Sequence, residues 1–452
     1  GWPFLVMLAE RVAGGMGAYL TALLVLGSAY PLCRLARQMN RRVGWATAAL
    51  YLMFPTVLLY SNRGLFPNLP VVALAIWSIW AWRELGRAAP EHQTDRFGVA
   101  RRTMLTLHVT PLLAGGALGL ALAIRPTEAL WILPWVVWAA WSGRENRSSV
   151  KPFFLAGAIA LLVCIGAAWL AALTYPAKSV TWLPAIGYQL KDSLLLAPAT
   201  GDTGSPARVV SLPFGFHPRA MWTNVRTYFF TYLAPWTIAA LIGAFIALRR
   251  TWGRSETVIL ILCAWTMGAL LLVYGQSNYA DNIRGTVSLG NSFLRYLLPL
   301  VPIVSYAAAL AVDALWKLPM RGRALAAIVL AFFLLYGPAV AFARDEEGIL
   351  AVRRELGRYA TIRRFAEEKL QPGTVIVSER SDKIFASGPF PSASPLPDKD
   401  TMRGLFASET PVALFHRTLS YNELNALMDS LPAFPPFPVY TVDNESMYLL
   451  QP

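Results

Sequence analysis

The sequence predicts an α-helical polytopic membrane protein of about ten transmembrane helices, ending in a small extracytoplasmic α/β domain. Three observations predict it. Of 452 residues, 56% are apolar and only 15% charged, where soluble globular chains carry about 25% charged residues. The apolar residues gather in runs of about 20, long enough as helices to cross a hydrocarbon core of about 30 Å. Positive charge gathers in alternate short loops between those runs. A soluble protein of this composition would expose large apolar patches. A disulfide-built secreted protein, a disordered chain and an ordinary cytosolic enzyme are therefore excluded.

Ten runs have span character: 16–36, 44–61, 69–85, 104–124, 128–143, 152–175, 226–248, 256–274, 294–315 and 324–343. The run 128–143 is the shortest. In lipid only a helix or a closed barrel satisfies its own backbone. No ten-residue alternation of apolar and polar residues appears, so the spans are helices.

Residues 1–343 hold 28 Lys/Arg against 11 Asp/Glu, and residues 344–452 hold 12 against 15. The excess of positive charge thus belongs to the membrane part. Arg34, Arg37, Arg41 and Arg42 follow the first span, and Arg83, Arg87, Arg96, Arg101 and Arg102 are assigned to the loop after the third. Arg144, Arg147 and Lys151 follow the fifth, Arg249, Arg250 and Arg254 the seventh, and Lys317, Arg321 and Arg323 the ninth. The short loops on the other side offer only Arg63 and Arg125. The positive-inside rule puts the rich loops in the cytoplasm of a plasma-membrane protein. Basic loops between spans face lipid headgroups, so no nucleic-acid partner is expected.

Two segments then lie outside. One is the loop 176–225, which keeps aromatic and apolar residues and is expected to be partly ordered. The other is residues 344–452. There, 346–370 has helical period, TVIVSE (374–379) reads as a buried strand, and 387–397 as a Pro/Ser-rich loop. PVALFHRT (411–418) reads as a second strand and 420–431 as a helix capped by Ser420 with Glu423 at N3. PVYTV (438–442) and MYLLQP (447–452) close a small α/β layer. It has no Gly-rich phosphate loop. Cys33, Cys164 and Cys263 are isolated within apolar runs and read as packing residues. No cluster has metal-ligand spacing, and no cofactor is expected.

The segment 2–64 opens WPFLVMLAERVAGG, runs into a span ending in a basic turn, and reaches a second span ending YSNRG. GALGLALAIRPTEALWILPWVV (116–137) pairs two spans through an Arg-Pro turn. NSFLRYLLPLVPIVSYAAALAVDAL (291–315) opens a span with Arg-Tyr and repeated prolines. In their order and side of the membrane these segments resemble the GT-C superfamily of membrane glycosyltransferases, its protein mannosyltransferase and aminoarabinose transferase-like members above all. The resemblance implies transfer of a sugar from a polyprenyl-phosphate carrier to a lipid, glycan or protein acceptor on the extracytoplasmic face. It also implies a catalytic carboxylate in a first external loop. This sequence holds no matching loop, so no catalytic residue is assigned. The alternating topology places residue 1 outside, so a further span and that loop are expected upstream, and the chain alone is expected to be inactive.

Such a site needs cations for the leaving phosphate. Arg125, at the outer turn between the fourth and fifth spans, presents a bidentate fork. Arg295 opens the ninth span beside Tyr296, and Arg63 ends the second. These three are the candidate donor-phosphate residues. Each has a plainer reading as an interfacial anchor. Glu128, three residues beyond Arg125, is a substrate-contact candidate or simply its ion-pair partner. Tyr296 is a substrate contact or an aromatic-belt residue. Asp281 and Arg284 lie in a polar external loop, and His217 in the long one. If the family arrangement holds, Arg125 and Arg295 converge on one cavity, apolar towards the membrane. The alternatives are a transporter or flippase and a non-catalytic membrane scaffold. The first is disfavoured by few intramembrane charges and by no sign of paired broken helices.

Overall fold

The computed structural model describes residues 2–14, 16–63, 66–87, 99–142, 150–174, 217–250, 254–275, 287–343, 348–371, 373–378, 382–385, 390–393, 404, 411–418, 420, 422, 438–442 and 445–450. The chain forms two compact units, Gly1–Ile349 and Leu350–Pro452.

Unit one is helical. Helix α1 (Trp2–Ala13) ends at Gly14, whose φ of +36° an L side chain rarely adopts. The Glu10 carboxylate accepts the Gly17 N–H at 2.9 Å and fixes the turn into α2 (Leu20–Met39). Then come α3 (Gly44–Leu52), α4 (Pro55–Ser61), α5 (Asn68–Arg87), α6 (Val99–Ile124), α7 (Ala129–Ser142) and α8 (Lys151–Thr174). The second half holds α9 (Pro218–Val225), a π-helical segment (Arg226–Tyr232), α10 (Ala234–Arg250), α11 (Arg254–Tyr274), α12 (Ser292–Tyr296), α13 (Val301–Trp316) and α14 (Met320–Ala343).

Each expected span falls on helix, and the chain is a multi-pass membrane protein. Among the described residues five helices are long and apolar enough to cross a membrane, or seven if each of two bent pairs is one span. Helix α7 has 14 residues, about 21 Å at 1.5 Å per residue, which falls short of a full crossing.

Two of the expected spans are bent. The run 44–61 bends by 56° between α3 and α4. Pro55 starts α4, and Phe54 before it is extended at φ −66°, ψ 131°, as the residue before a proline tends to be. The run 226–248 does not lie on one straight helix. Its first residues are π-helical and continue α9, and Pro218–Tyr232 meets Ala234–Arg249 at 96°. Leu233 donates its N–H back to the Tyr228 carbonyl at 2.8 Å, and the Thr237 hydroxyl donates to the Phe229 carbonyl at 2.7 Å. Pro235 supplies no N–H of its own. In the run 294–315, a 3₁₀ turn at Leu298–Leu300 separates α12 from α13. The buried Trp236 lies 4.6 Å from the Phe54 ring and 4.5 Å from Phe333, so both bends pack on one side chain.

Small residues let the backbones meet. A Cβ on Gly115 of α6 would stand 2.1 Å from the Ala156 carbonyl oxygen of α8, and one on Gly119 would stand 2.7 Å from that of Ala160. Gly243 of α10 would meet Ala307 of α13 at 1.7 Å, and Gly337 of α14 would meet Met53 at 1.8 Å. Membrane helices associate through such contacts because lipid gives them no hydrophobic drive.

Unit two is an α/β layer. Helix α15 (Ile349–Lys369) precedes β1 (Val375–Val377), the short α16 (Asp382–Phe385), β2 (Ser392–Ala393), β3 (Val412–Arg417), β4 (Tyr440–Val442) and β5 (Glu445–Leu450). The sheet order is β2-β1-β3-β5-β4. Strand β1 runs parallel to β2 and β3, while β5 runs antiparallel to β3 and β4. Ile362 and Ala366 of α15 pack on Ile376, Phe385, Phe415 and Met447. Strand β2 lies inside the expected loop 387–397, because two residues give no alternation to read. Most of the expected helix 420–431 lies outside the described residues, as does loop 176–225 up to residue 216.

Candidate functional site

The ends of five helices form the site. The 3₁₀ turn Pro126–Glu128 joins α6 to α7, and Arg125 precedes it in extended conformation at φ −145°, ψ 91°. Pro126 sets the start of the turn. The turn thereby places Arg125 and Glu128 side by side, with Nη1 and Oε1 3.2 Å apart. Glu128 is buried at 3% exposure. Its Oε2 accepts the indole N–H of Trp131, and its Oε1 accepts the Tyr274 hydroxyl at 3.4 Å.

Tyr274 ends α11. Its hydroxyl has one proton and acceptor capacity. It donates to Glu128 and accepts from Arg125 Nη2 at 3.2 Å. By elimination it also accepts from Thr127 Oγ1, at 3.2 Å. The Tyr274 ring stacks on Tyr296, with centroids 4.5 Å apart and planes 6° apart. The Arg125 guanidinium carbon lies 5.2 Å from the Tyr296 centroid and 5.7 Å from that of Tyr274.

Arg295 approaches the same Tyr296 ring at 5.4 Å and the Phe66 ring at 4.7 Å. Its Nη2 donates to Ser292 Oγ at 2.6 Å. Asn291 caps α12, accepting the Phe293 N–H at 2.8 Å, and so fixes the turn that presents both Arg295 and Tyr296. Phe66 stands edge-on to Tyr60 at 5.7 Å, and Arg63 lies 5.9 Å over the Tyr60 ring. The Tyr60 hydroxyl donates to the carbonyls of Leu289 and Asn291, at 3.3 and 3.4 Å, which ties α4 to the segment before α12.

The structure thus brings Arg63, Arg125, Arg295, Tyr296 and Glu128 into one ladder of cations and rings. Arg125 and Arg295 meet on a shared ring. Each partly desolvated cation–ring contact is worth about 0.5–2 kcal/mol. Of the five N–H donors of a guanidinium, the described contacts of Arg125 engage those on Nη1 and Nη2, so further donors remain to meet an anion. Glu128 accepts from three groups, Arg125, Trp131 and Tyr274. It is the clamp that sets Arg125.

His217 stands exposed at the start of α9. None of the described contacts places it in the ladder. Asn224, also on α9, reaches the end of α11 through the Gly275 carbonyl at 3.1 Å. Asp281 and Arg284 lie outside the described residues. Tyr274, Tyr60 and Phe66 were missed by the sequence reading. Their one signal was an aromatic residue at a span end, which membrane proteins show generally.

An apolar cavity of about 320 Å³ lies in the same unit. Its wall includes Trp131, which donates to Glu128, and neither Arg125 nor Arg295 lines it. Its far end holds Arg83. Charge had placed Arg83 in a loop. In the structure it lies within α5, 8% exposed, with its guanidinium 4.7 Å over Trp138. Among the described residues no group of three His, Cys, Asp or Glu side chains has the proximity a metal ion needs.

No family model matches the chain, and no curated protein does. Solved structures do. The chain is similar to ArnT from Cupriavidus metallidurans in the apo state, at a TM-score of 0.57 and 12% identity, over 99% of this chain and 86% of that one. A weaker likeness is to the Archaeoglobus fulgidus oligosaccharyltransferase. Its apo form gives a TM-score of 0.43 and 13% identity, over 92% of this chain and 61% of that one. Its complex with Zn and sulfate gives 0.45 and 14%, over 92% and 58%. The likeness to ArnT, over nearly all of this chain, shows the fold: the two chains share one architecture.

Proposed function

We propose that the protein transfers a sugar from a polyprenyl-phosphate carrier to a lipid, glycan or protein acceptor at the extracytoplasmic face of the membrane. The observation that carries this reading is the meeting of Arg125 and Arg295 on Tyr296, at the membrane end opposite the basic loops. The fold shared with ArnT, an aminoarabinose transferase, supports it.

Transfer breaks the bond between the anomeric carbon and the carrier phosphate oxygen. The electron pair stays on the phosphate, and a new bond forms to the acceptor. Charge therefore grows on the phosphate as the reaction proceeds. Two fixed guanidinium groups in a partly dry site stabilise that charge more in the transition state than in the ground state. Arg63, two rings beyond Arg295 along the ladder, extends the same positive field. The group that takes the acceptor proton is unassigned.

Binding of undecaprenyl phosphate to the purified protein tests the reading. Arg125→Ala and Arg295→Ala are each expected to weaken binding about ten- to a hundredfold, since a hydrogen bond to a charged group is worth about 1.5–3 kcal/mol. Lys at either position is expected to restore only part, because it keeps the charge and loses the fork. Unchanged binding in both Ala variants overturns the reading. A flippase is the second reading, and the two bent helix pairs favour it. Release of free polyprenyl phosphate from its sugar conjugate marks transfer, and movement of the intact conjugate between leaflets marks a flippase.

A further inference from the structure

Helices α10 and α14 both pack on α13, and a groove of about 640 Å³ runs between them. Its floor is α13, where Ala308, Ala311 and Ala314 recur at helical spacing and leave room that larger side chains would fill. Its walls are Ile238, Ile242 and Phe245, on one face of α10, and Phe332 of α14, all of them exposed. At one end the walls meet, because the Trp236 ring of α10 packs on Phe333 of α14 with centroids 4.5 Å apart. The other end, at Arg249 and Leu318, opens beside the basic loops. Pro235 and Arg249, at the two ends, are 14 residues apart on α10, or about 21 Å at 1.5 Å per residue. One leaflet's share of a hydrocarbon core of about 30 Å is about 15 Å. The groove is therefore long enough for one acyl chain entering at the open end.

Arg249 is the charged residue of the groove, and no carboxylate lines it. Its guanidinium carbon lies 4.6 Å over the ring of Phe245, a wall residue. Among the described residues no group accepts from its N–H donors. Asp313, the acid of α13, pairs with Lys317 and lies 3.4 Å from Asn40 Nδ2 instead. A guanidinium resting on a ring keeps its N–H edge for a phosphate.

Charge complementarity selects the occupant. A second copy of this chain would share its orientation in the membrane and bring its own Arg249 to the same depth, so a symmetric contact on this face sets like charges together. A phospholipid with a zwitterionic headgroup brings no net charge to the arginine. An anionic one brings a chain for the groove and a phosphate for its mouth.

We propose that the groove holds one acyl chain of an anionic phospholipid from the leaflet beside the basic loops, with its phosphate on Arg249. The inference does not rest on the proposed transfer.

Native mass spectrometry tests it, on the full chain purified in detergent and supplied with phosphatidylglycerol or phosphatidylcholine of the same acyl chains. One retained phosphatidylglycerol is expected, preferred over phosphatidylcholine by about fivefold, the scale of one basic residue at a lipid headgroup. Arg249→Gln is expected to remove the preference. Arg323→Gln, at an exposed cation near the start of α14, is expected to keep it. Ala314→Phe, which fills the groove near its mouth, is expected to abolish retention itself. Melting curves show whether that variant folds, and if it does not, the two arginine variants decide. Equal retention of both lipids by the wild type overturns the inference. So does an Arg249→Gln variant that keeps the preference, or an Arg323→Gln variant that loses it as fully. A mass of two chains that Ala314→Phe reduces to one also overturns it, because a second copy then covers the groove. Retention of undecaprenyl phosphate in preference to phosphatidylglycerol, removed by Arg249→Gln, overturns it as well, because the groove then serves a carrier lipid.

Discussion

Tyr274 holds more of the site together than either arginine does. Its ring supports Tyr296, and its hydroxyl joins Arg125, Thr127 and Glu128. Tyr274→Phe keeps the stack and removes the hydroxyl. Binding of undecaprenyl phosphate should then weaken by about three- to tenfold, since Arg125 loses one hydrogen bond that positions it, worth about 0.5–1.5 kcal/mol net. Glu128→Ala should act on stability. It leaves Arg125 without its anion and Trp131 without its acceptor, and removing one member of a buried pair costs on the order of 3 kcal/mol. Thermal unfolding in detergent should show that loss directly. The cations of this ladder were legible in the sequence, because an arginine is conspicuous at a span end that is otherwise uncharged. The rings that join them were not. Nothing in Tyr60, Phe66 or Tyr274 distinguishes a supporting ring from any other aromatic at the headgroup level. Arg83 failed for the opposite reason: charge alone argues for a loop, and its burial depends on Trp138, which lies two helices away in sequence.

At the scale of elements, glycine governs how close the helices come. Gly115 and Gly119 sit against Ala156 and Ala160 with no room for a side chain. Gly115→Leu should force α6 and α8 apart and destabilise the protein by about 1–3 kcal/mol, the usual cost of overpacking. Gly116 has open space at the same depth, so Gly116→Leu should leave melting nearly unchanged and serves as the control. In unit two, Arg358 bridges α15 to β5 through Glu445 at 2.9 Å and also meets Glu355 at 3.0 Å. Burial alone would lower its pKa, and the two carboxylates more than offset that. The helices themselves were legible because hydropathy reports length and composition. Their breaks were not. Pro31, Pro111, Pro134 and Pro338 all sit inside continuous helices, whereas Pro55 and Pro235 flank bends. Which proline breaks a helix is decided by what the freed carbonyls find to accept, and sequence does not display that.

For the whole molecule, the alternation of basic loops predicts an orientation. Cysteine introduced at Ser420 should react with an impermeant reagent from outside intact cells, and cysteine at Ser148 should not. The reverse pattern would invert the topology and move the ladder to the cytoplasmic face. That experiment bears on the transfer reading as a whole, because a polyprenyl-linked sugar must be presented on the side where the arginines stand. The change in charge balance near residue 344 falls close to the boundary between the two compact units, at Ile349. The order of strands was not legible in the sequence, since strands of two or three residues carry no register of their own and are placed by their neighbours.

The π-helical segment at 226–232 also bears on how this region tolerates changes in length. A π turn closes from residue i to i+5 where an α turn closes from i to i+4, so the segment holds about one residue more than an α-helix of equal rise. That surplus gives the chain slack. Deleting Thr231 should let the segment tighten into α-helix and keep α9 and α10 anchored at both ends. The same deletion at Ala240, in the regular part of α10, would rotate everything beyond it by about 100° and turn the Gly243 face away from Ala307. A protein lacking Thr231 should therefore still fold and insert, and one lacking Ala240 should not.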